Sequence, residues 1–306
     1  MSIPRARRRR GGFTAGGALL AILCAVTGLL AAPLPAQAAS KTPTYYVSLG
    51  DSYAVGYQPG LGATPGYMTY VAQKTHLTLA NFGCGGATTT SLLTTVGCPV
   101  NLPHTAGAVT YPTTTQATAA EAFLTAHRGH IGLITVSIGG NDVTSCATRS
   151  NPVSCVAAAT TAIAKNVSTL AAALRAAAGP RVPLIGLTYP DVILGSYVYP
   201  TQPPSAARVT LAKVSVLAFR SLINPTLVKA YGSAGGVLVD VTAATGAYTS
   251  LTRTVRFRPY GTIPLPVASV CSLTWFCARG DIHANTRGYT LMGRLVVARF
   301  TAMHRA

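Results

Sequence analysis

Short runs of β-branched and aromatic residues, each stopped by glycine or another turn residue, alternate along this chain with longer stretches whose apolar positions recur at helical spacing. The first run, Tyr45-Tyr46-Val47-Ser48-Leu49, stops at Gly50, and similar runs cover residues 78–82, 131–138, 183–188 and 236–241. Apolar runs of this length between turn signals predict strands buried on both faces. Helices are predicted over 67–76, 115–127, 156–178 and 205–231, the third closed by Gly179-Pro180 and the fourth kinked where Asn224 meets Pro225. A last helix over 286–303 carries Leu291, Leu295, Val296 and Phe300 on one face. Five strands alternating with helices predict a parallel sheet in a three-layer α/β arrangement. Three stretches break the rhythm. Residues 56–66 are rich in Gly and Pro, and 99–115 in Pro and Thr, so both read as loops. Residues 243–280 form a long excursion without a predicted helix; it holds Trp275, the single tryptophan, and is expected to wall a functional site.

Charge and hydropathy set the first 38 residues apart. Arg5 and Arg7 to Arg10 precede an apolar stretch over 15–32, and Ala36-Gln37-Ala38 fits a small-residue cleavage site. Residues 1–38 are therefore expected to be a secretory signal peptide, and 39–306 a single exported domain. Removing 38 residues and five arginines would leave 268 residues with a net charge of +13. Such a balance suits anionic surfaces, membrane or cell wall. The arginines are scattered, with Arg253, Arg256 and Arg258 the one local cluster, beside Phe257 and Tyr260. A nucleic-acid groove would need more stacking aromatics, so none is expected. Six acids are the entire complement, and three of them, Asp51, Asp142 and Asp281, fall in short motifs.

Cysteine usage agrees with export. Cys24 would leave with the leader, and six remain as near neighbours in sequence: Cys84 with Cys98, Cys146 with Cys155, Cys271 with Cys277. Six cysteines allow fifteen connectivities, of which these local pairs are the simplest. No Cys-x-x-Cys is present, so a zinc site is not expected, and no other metal or cofactor is expected either.

The motifs follow predicted strands. Gly50-Asp51-Ser52 comes after the first, the glycine-dense Asn81 to Thr88 segment after the second, and Gly139-Gly140-Asn141-Asp142 after the third. Asp281-Ile282-His283 precedes the last helix. Ligands of open α/β sheets bind at the carboxyl edge of the strands. Acyl transfer from an ester needs a nucleophilic hydroxyl, a base and oxyanion donors. Ser52 would supply the first and His283 the second. The N–H groups of Ser52 and Gly86 and the Asn141 amide would hold the oxyanion. A group must also orient the imidazole. Asp281 is the candidate for that, with a main-chain carbonyl of Arg279, Gly280 or Asp281 itself as the alternative.

These four blocks, in this order, resemble those of the SGNH or GDSL-type esterase and lipase superfamily. With three cysteine pairs and an exported basic chain, the sequence looks most like the secreted actinobacterial branch. The resemblance implies a flavodoxin-like sheet in the order 2-1-3-4-5 and metal-free hydrolysis of carboxylic esters, and the apolar and aromatic stretch 243–280 makes an acyl lipid the expected substrate. A carbohydrate O-acetyl esterase would share all four blocks. A non-catalytic cationic wall-binding protein would explain charge and export, but not Ser52, Asn141 and His283 at these places. One departure stands out: the family usually has Asp three residues before the histidine, and here that place is Gly280.

Overall fold

A computed structural model describes residues 44–305 of the chain. The expected leader over 1–38, with Cys24, lies outside the described residues. The five apolar runs form strands β1 Tyr45–Gly50, β2 Thr78–Asn81, β3 Ile131–Ser137, β4 Leu184–Leu187 and β5 Val237–Val239. All pair in parallel, in the order β2-β1-β3-β4-β5, with Val47 beside Ala80 on one flank and beside Ile134 on the other.

Side chains of a strand alternate between the two faces of a sheet, so each face here has its own core. Val47, Leu49, Ile134, Val136 and Leu184 belong to one, and Tyr46, Leu133, Ile185, Leu187 and Val239 to the other. Among the described residues, the helices of eight residues or more are α1 Tyr67–Thr75, α2 Gln116–Ala126, α3 Pro152–Ala178, α4 Ala206–Ala218, α5 Asn224–Gly232, α6 Leu265–Leu273 and α7 Thr286–Met303. Helices α2, α3 and α5 cover the first face, and α1 and α7 the second. The three-layer α/β arrangement read from the sequence is the observed one.

Helix α3 starts four residues ahead of the expected 156, because the Asn151 side chain accepts from Ser154 N and Pro152 occupies the first turn. An Asn cap followed by a φ-locked proline is a start signal in its own right. The kink expected at Asn224-Pro225 is a wide π turn, Phe219–Ile223, between α4 and α5. Proline lacks the N–H of a regular turn and crowds the carbonyl four residues back, and the wider turn relieves both constraints.

Residues 243–280 depart from expectation. They contain a two-stranded antiparallel ribbon, Thr254–Arg256 with Thr262–Pro264, then α6 and a short turn of helix, Phe276–Arg279. Pro266 sits in the first turn of α6, where its missing N–H costs nothing. Ile263, Val267, Val270 and Cys277 bury themselves against Leu194 and Val198 in a third, smaller core. The excursion is thus a folded element with an interior of its own. The cysteines join as 84–98, 146–155 and 271–277.

Candidate active site

At the carboxyl end of β1 the chain turns through Gly50, whose φ of 137° is closed to other residues and whose place against the Ser137 carbonyl leaves no room for a Cβ. Gln116 of α2 fastens this glycine from both sides, accepting from its N–H at 2.8 Å and donating to its carbonyl at 3.0 Å. Asp51 then caps a single helical turn, Ser52–Val55, by accepting from Tyr53 N at 2.9 Å. The serine is thereby presented at the sheet edge on a fixed turn.

His283 reaches it from the other end of the chain. Its Nε2 lies 2.7 Å from Ser52 Oγ, and its Nδ1 lies 2.7 Å from Asp281 Oδ1. The same Asp281 oxygen accepts from the His283 backbone N–H at 2.9 Å. Gly280 ends the preceding helical turn at a φ of 68°, with the Tyr199 ring where a side chain would stand. Asp281 Oδ1 meets both the backbone N–H and Nδ1 of His283, so the two side chains face each other across the loop. A carboxylate two residues before the histidine therefore faces Nδ1, while the position three residues before it is Gly280.

The loop that carries His283 is pinned at several points. Tyr53 donates its hydroxyl to the Ile282 carbonyl at 2.6 Å, and Trp275 N donates to the His283 carbonyl at 2.9 Å. The indole N–H of Trp275 reaches Gln58 Oε1 at 3.1 Å, and the Tyr57 ring stands edge-on to the imidazole, 4.5 Å between centroids. Burial pushes the His283 pKa below the ordinary 6.5, while the hydrogen bond and charge of Asp281 pull it up.

The third motif packs against the second. Asn141 donates one amide N–H to the Ala87 carbonyl at 2.9 Å, which leaves its other N–H for a ligand. Asp142 accepts from Thr89 N and Thr89 Oγ1 at 2.9 and 2.6 Å, and Cys84–Cys98 closes the same loop. Among the described residues, neither Ser52 N–H nor Gly86 N–H donates to a protein acceptor.

Beside Ser52 opens a cavity of about 400 Å³, within the size range of small-molecule sites. Ser52 and Asn141 are among the few polar residues that line it, and Val143, Val156, Val192, Leu211, Val214 and Ile223 form much of the rest. No residue of 243–280 lines it, which corrects the expectation that this excursion walls the site. The excursion's apolar side chains are spent on the third core with Leu194 and Val198, and the cavity's apolar walls come from residues 143–156, 190–193 and 211–223 instead. Gly86 also lies outside this lining and borders a smaller cavity of about 190 Å³ with Val100 and Tyr111. Among the described residues, no three His, Cys, Asp or Glu side chains converge as a metal site would need.

Two residues that no motif reading singles out complete the site. Tyr189 donates its hydroxyl to Asp51 Oδ2 at 2.6 Å and packs edge-on to Tyr53. Burial raises the Asp51 pKa to about 7, against the hydrogen bonds of Tyr189 and Tyr53 N that favour the carboxylate. Tyr189 follows the fourth strand directly, so its position at the sheet edge was a usable signal. Tyr53 adjoins the serine, but its link to Ile282, 229 residues away in sequence, has no local trace.

A family model described as GDSL-like Lipase/Acylhydrolase family matches residues 48–291. Among solved structures, the chain is similar to a proposed lipolytic protein of G-D-S-L family from Desulfitobacterium hafniense DCB-2, at 12% identity over 83% of this chain and 98% of that one, with a TM-score of 0.41. It is also similar to a possible lipase from Chitinophaga pinensis DSM 2588, at 12% identity over 86% and 100% of the two chains, TM-score 0.37. A third, the salicylyl-acyltransferase SsfX3 from a tetracycline biosynthetic pathway, aligns at 12% identity over 80% of this chain and 58% of its own, TM-score 0.32. A comparison with curated proteins found no match.

Proposed function

Because the chain belongs to the GDSL-like lipase/acylhydrolase family, we propose that it is a secreted serine esterase of acyl lipids, working through an acyl-Ser52 intermediate. The observation that carries this reading is the unbroken contact from Ser52 Oγ through the His283 ring to Asp281, beside an apolar cavity. In the first step His283 Nε2 takes the Ser52 proton as Oγ bonds to the ester carbonyl carbon. Asp281 holds the Nδ1 proton and stabilises the imidazolium that forms. The Ser52 and Gly86 N–H groups and the remaining Asn141 N–H receive the developing oxyanion, each worth roughly 3 kcal/mol of barrier. His283 then gives its proton to the leaving alcohol. A water, deprotonated by the same nitrogen, cleaves the acyl-serine and restores the enzyme.

The acyl chain would lie in the cavity, where aliphatic side chains offer nothing to a sugar hydroxyl. Each buried methylene contributes about 0.8 kcal/mol, roughly fourfold in kcat/KM. Octanoyl esters are therefore expected to exceed butanoyl esters by a factor on the order of 10². A series of p-nitrophenyl esters from acetyl to lauroyl, run beside acetylated xylan, tests this. Faster release of acetate from the polysaccharide than of fatty acid from any ester would replace this substrate class with the carbohydrate acetyl esters.

The protonation state of His283 sets the pH dependence. Its lowered pKa means that the free base forms at lower pH than for an ordinary histidine. Activity should rise through an apparent pKa below 6.5. A pH profile of kcat/KM on a monomeric ester measures it, and a limb centred above 6.5 would show that the Asp281 charge outweighs burial.

Export is proposed from the expected leader and from the three disulfides, which persist in oxidising compartments. Among the described residues, no helix is long and apolar enough to cross a membrane.

A further inference from the structure

The charges of this chain are sorted with unusual completeness between inside and outside. Asp51 and Asp191 are buried. Asp142 is taken up by Thr89, Asp240 by Ala243 N and Asn224, and Asp281 by His283. Glu121 is the remaining acid, and it too is only partly exposed. Sixteen of the eighteen Lys and Arg residues among the described residues are exposed. Among the described residues the surface is therefore strongly cationic, with its few partly exposed carboxylates mostly engaged in hydrogen bonds.

Exposed apolar side chains are ordinary when scattered. Here three of the nine large exposed ones among the described residues, Val153, Leu217 and Leu222, also line the cavity beside Ser52. They are 63%, 60% and 37% exposed, and stand at the start of α3, the end of α4 and the π turn. The mouth of the cavity is thus an apolar rim on a basic molecule.

We propose that the chain docks on an anionic phospholipid surface with this rim inserted among the lipids, so that an acyl chain can pass from the bilayer into the cavity without crossing water. Basic residues near such a surface gain from its negative potential, and the rim gains from burial in the acyl boundary. A hydrophilic wall polyanion would answer the charge but would leave Val153, Leu217 and Leu222 in water, and for that reason the partner is a lipid. The uptake step rests on the proposed ester hydrolysis; the docking does not.

The test is co-sedimentation of the purified chain with vesicles of ether-linked phosphatidylglycerol or ether-linked phosphatidylcholine, whose chains it cannot release. Binding to the anionic vesicles is expected to be at least about tenfold tighter than to the zwitterionic ones. It should be largely lost at about 1 M NaCl. The double variant Val153→Ser/Leu217→Ser should bind phosphatidylglycerol about tenfold more weakly while its retention on a cation exchanger stays unchanged. Equal binding to both lipids, or none, would overturn the proposal, and neither result depends on a variant folding. So would wild-type affinity in the double variant together with equal binding to soluble polyglycerol phosphate, which would assign the surface to a wall polymer. Hydrolysis of dissolved p-nitrophenyl butyrate is scored separately. A chain that cleaves butyrate but ignores vesicles refutes the docking alone, and one that binds vesicles but cleaves no ester refutes the proposed function alone.

Discussion

Ser52→Ala is expected to lower turnover of a monomeric ester by about 10⁶, the scale on which removal of a serine nucleophile acts when histidine and oxyanion donors remain. The substitution deletes one hydroxyl whose side-chain partner is His283 Nε2 at 2.7 Å. The turn that carries it is held by Gly50, Gln116 and the Asp51 cap, none of which uses that hydroxyl. Circular dichroism and thermal midpoint should therefore match the wild type. KM should change little, because the cavity and the donors are intact. Turnover within tenfold of wild type in a well-folded Ser52→Ala chain would mean that another group attacks the ester.

Asp281→Asn should cost about 10⁴ in turnover at neutral pH. Asp281 Oδ1 receives both the Nδ1 and the backbone N–H of His283, so it fixes the tautomer in which Nε2 faces the serine unprotonated. An asparagine can turn an amide N–H toward Nδ1 and stabilise the opposite tautomer. Two carbonyls of the same loop already have donors, Ile282 O from Tyr53 and His283 O from Trp275. Because the Asp281 hydrogen bond and charge raise the His283 pKa, the residual activity of the variant should show an acid limb displaced to lower pH. Steady-state kinetics with a pH profile checks both effects. A loss smaller than tenfold would reduce the arrangement to a Ser-His pair with Asp281 as a loop brace.

What could be read in the sequence, and what could not, divides along the range of the interactions. Strands such as 45–50 and 131–137 declare themselves because a segment buried on both faces is continuously apolar and must stop at a turn, here Gly50 and Gly139. The nucleophile candidate is legible for the same reason, as a hydroxyl directly past such a stop. Helix α7 follows from Asn285 as cap and from its apolar stripe. The folding of 243–280 was not legible, since Ile263, Val267 and Val270 gain a core only by meeting Leu194 and Val198 some seventy residues earlier. The cavity was hidden in the same way. Its walls join residues 143–156 to 211–223, and in each segment the lining positions look like an ordinary buried helix face. Gln116 gives no local sign that it clamps Gly50, and the hydroxyls of Tyr53 and Tyr189 find their partners only through tertiary packing. Aspartate 281 lay between these cases: its residue type was visible, but its reach to Nδ1 depends on Gly280 taking a left-handed φ.

The covalent role proposed for Ser52 is tested most directly by labelling. The purified chain is treated with a p-nitrophenyl alkylphosphonate whose alkyl group suits the cavity. One equivalent of p-nitrophenol should be released per chain, with loss of ester hydrolysis in proportion, and peptide mass spectrometry should find the phosphonyl group on Ser52. Full ester hydrolysis after exhaustive treatment, or a stoichiometric adduct on any other residue, would contradict it.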